Sequence, residues 1–141
     1  MILPEEVIQF LSVQHKAVFT TYRKNGAAQM SLIGCGLLRG QIVFSTAANV
    51  KYWNLKRDPR CVLLVSRDDW RRYVVLEGHA EIINAENTDP ETLRLELREA
   101  FRVATTREHP DWAQYDADML RDRRAIIIVH PEHFYGKFNP V

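Results

Sequence analysis

Apolar and polar positions alternate along the chain in a way that marks out six strand-like runs and four helical ones. Val7, Ile8, Phe10 and Leu11 recur at helical spacing behind Glu5 and Glu6, so Pro4 to Gln14 predicts an amphipathic helix with proline in its first turn and acids at its positive end. Ala17 to Tyr22 reads as a strand. Lys24-Asn25-Gly26 follows it and predicts a hairpin through a type I′ turn, because Asn-Gly tolerates the positive φ angles of that turn. Gln29 to Leu38 is the partner strand. Gly34 and Gly36 interrupt it, which predicts a bulge or a bend where a barrel turns a corner and also leaves room for a flat ligand against the backbone. Arg39-Gly40 turns the chain into Gln41 to Phe44, completing a three-strand meander.

The pattern then changes. Val50, Asn54 and Leu55 share helical spacing, and Asp58-Pro59 ends that helix, because proline disfavours the helical region for the residue before it. Cys61 to Ser66 is a strand, Arg67 to Arg72 a charged loop around Trp70, and Tyr73 to Ile83 a long strand with a bulge expected at Glu77-Gly78. Thr88-x-x-Glu91 predicts a helix opened by a capping box with Thr88 as the cap. Leu93, Leu97, Phe101 and Ala104 form its apolar face. A short helix over Asp111 to Leu120 follows, and then Ala125 to His130, a strand so rich in β-branched residues that both of its faces are expected to be buried. Six mostly antiparallel strands with helices around them predict a mainly β, α+β fold: a small antiparallel barrel, whose closure removes exposed sheet edges.

Between the third strand and the central helix lies a cluster of polar groups. The first turn of a helix leaves N–H groups unpartnered and carries partial positive charge, so it accepts an anion such as phosphate. Ser45, Thr46 and Asn49 stand where they either cap the helix or bond a phosphate. Lys51 stands one turn in, either solvated or adding a full charge to that site.

A resemblance gives this cluster a meaning. Phe44-Ser45-Thr46 followed by Lys51-x-x-Asn54-Leu55-x-x-Asp58-Pro59-Arg60 is similar to the flavin and deazaflavin oxidoreductases of the split β-barrel superfamily, the relatives of pyridoxamine 5'-phosphate oxidase. It resembles most the branch that uses the deazaflavin coenzyme F-420. Trp70-x-x-Tyr73-Val74-Val75-x-Glu77-Gly78 extends the resemblance. So does the run from His109-Pro110-Asp111-Trp112-x-x-Tyr115 through Arg123-Arg124 and Ile126-Ile127 to Tyr135-Gly136. The resemblance implies a six-stranded split barrel and a homodimer with the cofactor in the cleft between subunits. It implies a phosphate held by Ser45, Thr46 and Lys51, and a tricyclic ring lying against Ser31, Leu32 and Ile33. Asn54 and Arg57 are carried over with the helix, and Trp70 and Tyr73 as residues a partner subunit contributes. One departure stands out: many relatives carry an Arg two positions before the Lys, where this chain has Asn49. The site is then one charge short, which Arg57, Arg60, Arg71 or Arg72 would have to make up.

Composition narrows the alternatives. At 141 residues the chain is expected to be one domain, with enough length for a real core. Its 19 basic and 18 acidic residues give a net charge of +1, which is no footprint for nucleic acid. No apolar run approaches the roughly 20 residues of a membrane span. The chain opens without the basic-then-apolar pattern of a signal peptide, and Cys35 and Cys61 read as two buried thiols, so the expected location is the cytoplasm. His130-x-x-His133 has a metal-like spacing but no third ligand, and no metal is expected. Clustered acid–base or nucleophilic groups are missing too, so no catalytic residue is nominated. That suits hydride transfer, in which the cofactor carries the chemistry and the protein binds and orients it. The expected activity is transfer of hydride from reduced F-420 to a small conjugated acceptor such as an enone, a quinone or a tetrapyrrole. Two alternatives remain open: an FMN-dependent oxidoreductase of the same fold, and a flavin or deazaflavin carrier without turnover.

Overall fold

The structure, a computed structural model, describes residues 1–139. Its elements in order are α1 (Glu5–Val13), β1 (Lys16–Tyr22), β2 (Ala28–Gly34), β3 (Gly36–Leu38), β4 (Gln41–Thr46) and α2 (Val50–Arg57). They continue as β5 (Arg60–Ser66), β6 (Tyr73–Ile83), α3 (Pro90–Thr105), α4 (Trp112–Arg121) and β7 (Ala125–Lys137). The strands form one antiparallel sheet in the order β2-β1-β5-β6-β7-β4-β3. Its two ends, β2 and β3, follow one another in sequence, and only Cys35 separates them. They are the two halves of the expected Gln29–Leu38 strand, bent at Cys35, whose N–H is held by the His15 carbonyl at 2.8 Å. The bend curls the sheet into a half-barrel, and it is why seven strands are present where six were expected.

Other expectations move by small amounts for identifiable reasons. Pro4 is the N-cap residue of α1 and not its first turn. The first hairpin is not a type I′ turn: Gly26 has φ of +84° while Asn25 does not. Lys24-Asn25-Gly26 is instead a three-residue loop closed by Arg23 and Ala27, with Gly26 in the left-handed position that follows a type I turn. The cap of α3 is Asp89, not Thr88; its carboxylate accepts the Thr92 N–H at 3.0 Å, and Pro90 occupies the first helical position. β7 continues past Pro131 to Lys137 because a bulge at Glu77/Gly78 places Gly78 opposite Pro131, where no ladder donor is needed. A Cβ on Gly78 would collide with the His130 carbonyl.

The alternation of β7 feeds two cores. Ile127 and Val129 face the barrel interior with Phe19, Phe44, Leu63 and Leu76, all essentially without exposed surface. Phe19 and Phe44 meet edge to face at 4.7 Å. Helix α1 adds Val7, Phe10 and Leu11 to this interior, and α2 adds Leu55. Ile126 faces the other way and packs with Leu38 and Val43 under Leu93, Leu97 and Ala100 of α3 and Tyr115 of α4. The Tyr115 hydroxyl donates to the Leu97 carbonyl at 2.7 Å. Helices α3 and α4 therefore roof the outer face of β3, β4 and β7. No helix among the described residues is long and apolar enough to cross a membrane.

Candidate cofactor site

β4 delivers the chain to the start of α2. Thr46 is buried and its hydroxyl donates to the Ala47 carbonyl at 3.0 Å and to Asn49 Oδ1 at 3.3 Å. Asn49 occupies the N-cap position, yet its side chain makes no cap hydrogen bond to α2. The first-turn N–H groups of α2 are thus left open to solvent or to an anion. Lys51 lies beside this opening, partly buried. Burial first, and then the neighbouring Arg124 guanidinium, push its pKa down.

Arg124 was not among the residues singled out as binding. It lies in the turn before β7, next to Ala125, which pairs with Thr46 across the sheet. Its Nε is buried and has no hydrogen-bond partner among the described residues. Neither Lys51 nor Arg124 forms an ion pair with a carboxylate among those residues. Two adjacent cations and an open helix start suit one divalent oxyanion. The signal for Arg124 was present in the sequence as the Arg123-Arg124 pair, but only the β4–β7 pairing brings it to Lys51.

Other anticipated residues are placed differently. Ser45 pairs with Ile126, so strand alternation sets its side chain on the helix-covered face, opposite to Thr46. Asn54 is buried and donates to the Thr21 hydroxyl at 3.1 Å, while Arg57 bonds the Tyr22 carbonyl at 2.5 Å and Asn54 Oδ1 at 3.1 Å. These bonds fasten α2 to β1. The arginines considered as substitutes for the missing charge are also engaged: Arg60 with Asp58, and Arg72 with the Asn139 carbonyl. Arg71 is exposed.

The residues expected beneath a ring lie on β2. Ser31 and Ile33 face the barrel, opposite Phe19 and Ala17, and Ser31 Oγ is buried without a partner. Leu32 points outward and is 84% exposed. Together with Val18, Leu64 and Trp70 it borders a shallow pocket of about 270 Å³ on the outer face of β1, β2 and β5. Trp70 is held over this pocket at φ of +63°, an uncommon conformation for a bulky residue, by a turn whose Arg67–Asp69 ion pair closes at 2.7 Å. The hydrogen bond from Arg67 holds Asp69 down at about 2. Tyr73 is half-buried at the start of β6 and is not among the residues lining the pocket.

The sequence profile of pyridoxamine 5'-phosphate oxidase matches residues 3–138. This chain belongs to that family. A reduced-F-420-dependent biliverdin reductase of Mycobacterium tuberculosis (strain CDC 1551 / Oshkosh) is 30% identical over 138 residues, spanning 95% of this chain and 88% of that one. In fold, the family member described here is similar to a conserved hypothetical protein of Mycobacterium tuberculosis, with a TM-score of 0.76 and 22% identity over 98% of this chain and 86% of that one. It is also similar to an F-420 reductase, with a TM-score of 0.64 and 23% identity over 94% of this chain and 98% of that one.

Within this family member, two of the histidines are engaged by carboxylates. His130 meets Glu81 and His79 meets Glu132, each at 2.8 Å. No group of three His, Cys, Asp or Glu residues able to hold a metal is found among the described residues.

Proposed function

We propose that the protein is an F-420-dependent reductase that works as a homodimer and reduces a small conjugated acceptor. The observation that carries this reading is the Lys51–Arg124 pair at the open start of α2, two cations with no acid between them. A phosphate there would be held by Lys51 Nζ, the Arg124 guanidinium and the first-turn N–H groups of α2. Arg124 supplies the charge that Asn49 does not. The 30% identical relative, which acts on biliverdin with reduced F-420, supports the cofactor and makes a tetrapyrrole the first acceptor to test.

When bound, the reduced deazaflavin supplies the hydride. The chain contributes the rest. Lys51 and Arg124 fix one end of the cofactor, and the β1–β2 ribbon at Ser31, Leu32 and Ile33 offers a surface for the ring. A proton from solvent completes the reduction at the acceptor. Such fixed positioning supplies most of the catalysis. The bare apolar outer face that carries Leu32 and Trp70 is the surface we assign to the second subunit. Cys35 and Cys61 are both free and buried, in keeping with the cytoplasmic setting of this proposal.

Fluorescence titration of the purified protein with F-420, and separately with FMN, tests the reading. Tight saturable binding of F-420 with weak FMN binding is expected. The reverse preference would assign the protein to the flavin-dependent members, since both cofactors carry a phosphate that the cradle accepts. Binding of neither would leave the fold without the function. Turnover of biliverdin, enones and quinones by the loaded protein then separates an enzyme from a carrier.

A further inference from the structure

Outside the cofactor cradle, a groove of about 770 Å³ lies between α2, α3 and α4. Its volume lies within the range of small-molecule sites. The walls are apolar: Trp53 from α2, Leu93 and Leu97 from α3, Met119 and Leu120 from α4. Trp53 is 56% and Leu120 81% exposed, a large apolar area to leave in water.

The charges around the groove are unequal in their commitments. Glu86 is paired with Lys56 at 3.4 Å. Glu91 is paired with Arg94 at 2.5 Å, and Asp116 with Arg94 at 3.1 Å and Arg98 at 2.5 Å. Of the charged residues lining the groove, Arg123 alone has a side chain with no hydrogen bond or ion pair among the described residues. The groove thus presents an apolar body and one uncommitted positive charge.

The backbone at Arg123 makes the same point independently. Its φ is +51°, and its N–H bonds the Leu120 carbonyl at 3.2 Å while the Arg124 N–H bonds the Met119 carbonyl at 3.0 Å. This is the left-handed residue that closes a helix, a position that glycine occupies most comfortably. An arginine occupies this left-handed position at the edge of the groove. Non-glycine residues in such conformations concentrate at functional sites.

We infer that the groove binds a small amphipathic organic anion, with its apolar part between Trp53, Leu97 and Leu120 and its carboxylate or sulfonate on Arg123. This site stands on its own observations and does not depend on the cofactor assignment.

Two dyes of matched shape test it, the anionic 8-anilinonaphthalene-1-sulfonate and the uncharged N-phenyl-1-naphthylamine, titrated into the whole protein without cofactor. Both are expected to bind saturably at one site per chain. Arg123→Gly should weaken the anionic dye about tenfold and leave the neutral dye unchanged, since one charge-assisted contact is lost. Its thermal midpoint should stay level or rise, because glycine suits the left-handed position, so weakened binding cannot be ascribed to a damaged fold. Trp53→Ala, at an exposed position, should weaken both dyes. Equal loss of both dyes in Arg123→Gly, no effect of Trp53→Ala, or no saturable binding would overturn the assignment. So would a change from dimer to monomer in Trp53→Ala by light scattering, since a second copy of the chain would then be the occupant.

Discussion

The sheet has two outer flanks, and the chain treats them differently. Over β3, β4 and β7 it lays its own helices, so that Val43 and Ile126 are 2% exposed and the covering Leu97 and Tyr115 are 4% and 6% exposed. Over β2, β1 and β5 the described residues lay no helix: Leu32 is 84%, Met30 65% and Trp70 75% exposed. Both flanks are built from alternating strands with apolar outward positions. The covered flank therefore contributes to the stability of the single chain, and the bare one is an apolar patch of the kind that marks an interaction surface.

The sharpest way to break this contrast is to truncate one leucine on each flank. Leu97→Ala removes a nearly buried side chain from the α3 packing and should lower unfolding stability by about 2–5 kcal/mol. Leu32→Ala should change it by about 0.5 kcal/mol or less in the isolated subunit, because a highly exposed side chain loses little on truncation. Urea titration below the association concentration reads both. Leu32→Glu then sharpens the comparison: the fold should persist while light scattering shows a dimer becoming a monomer. An unaltered dimer would remove the bare flank as the subunit surface.

A second contrast, next in size, lies at the two ends of α2. Its C-terminal end is saturated, with Asn54 and Arg57 bonded to Thr21 and Tyr22. Its N-terminal end is uncapped and faces Lys51 and Arg124. Lys51→Ala should weaken cofactor binding by about 1.5–3 kcal/mol, the loss of one hydrogen bond to a charged group. Arg124→Ala should do so by a similar amount. Arg57→Ala should leave cofactor affinity unchanged and lower the thermal midpoint. A drop in affinity for Arg57→Ala alone would place the phosphate at the wrong end of the helix.

Much of the fold could be read from residue periodicity, because each strand and helix announces itself locally. The bend between Gly34 and Gly36 and the bulge at Gly78 were legible as glycines in strand contexts. What escaped was set by geometry that neighbours in space decide. Asn25-Gly26 carries a type I′ signal, but the register of Tyr22 against Ala28 leaves a three-residue loop instead. Thr88 and Asp89 both suit a cap, and Pro90 resolves the choice by fixing the first helical residue next to Asp89. Asp89→Ala should cost about 1 kcal/mol, and Thr88→Ala less than half of that, by thermal denaturation. At the proposed site, Lys51 was singled out through the family resemblance, because its spacing from a strand alone left it either solvated or anion-binding. Arg124 was not, since 73 positions separate it from Lys51 and only the pairing of β4 with β7 joins them.

The smallest expected effect concerns protons. Burial and Arg124 lower the pKa of Lys51 in the folded protein from the model-compound value of 10.5. Between that lowered value and 10.5 the unfolded chain therefore holds more protons at this position than the folded one. Stability then rises with pH through that window as far as this group is concerned, opposite to the behaviour of a lysine held in an ion pair. A bound phosphate reverses the balance, because it favours the charged ammonium. Cofactor binding should accordingly take up a fraction of a proton in alkaline buffer, and affinity should fall as pH rises through the lowered pKa. Lys51→Met should abolish the pH dependence of affinity in that range and raise the thermal midpoint slightly at neutral pH, since a cation is removed from beside Arg124. Isothermal titration in two buffers of different ionisation enthalpy measures the proton uptake. Proton release on binding, or a thermal midpoint that drops in Lys51→Met, would show that Lys51 is stabilised by a partner within the chain and is not waiting for an anion.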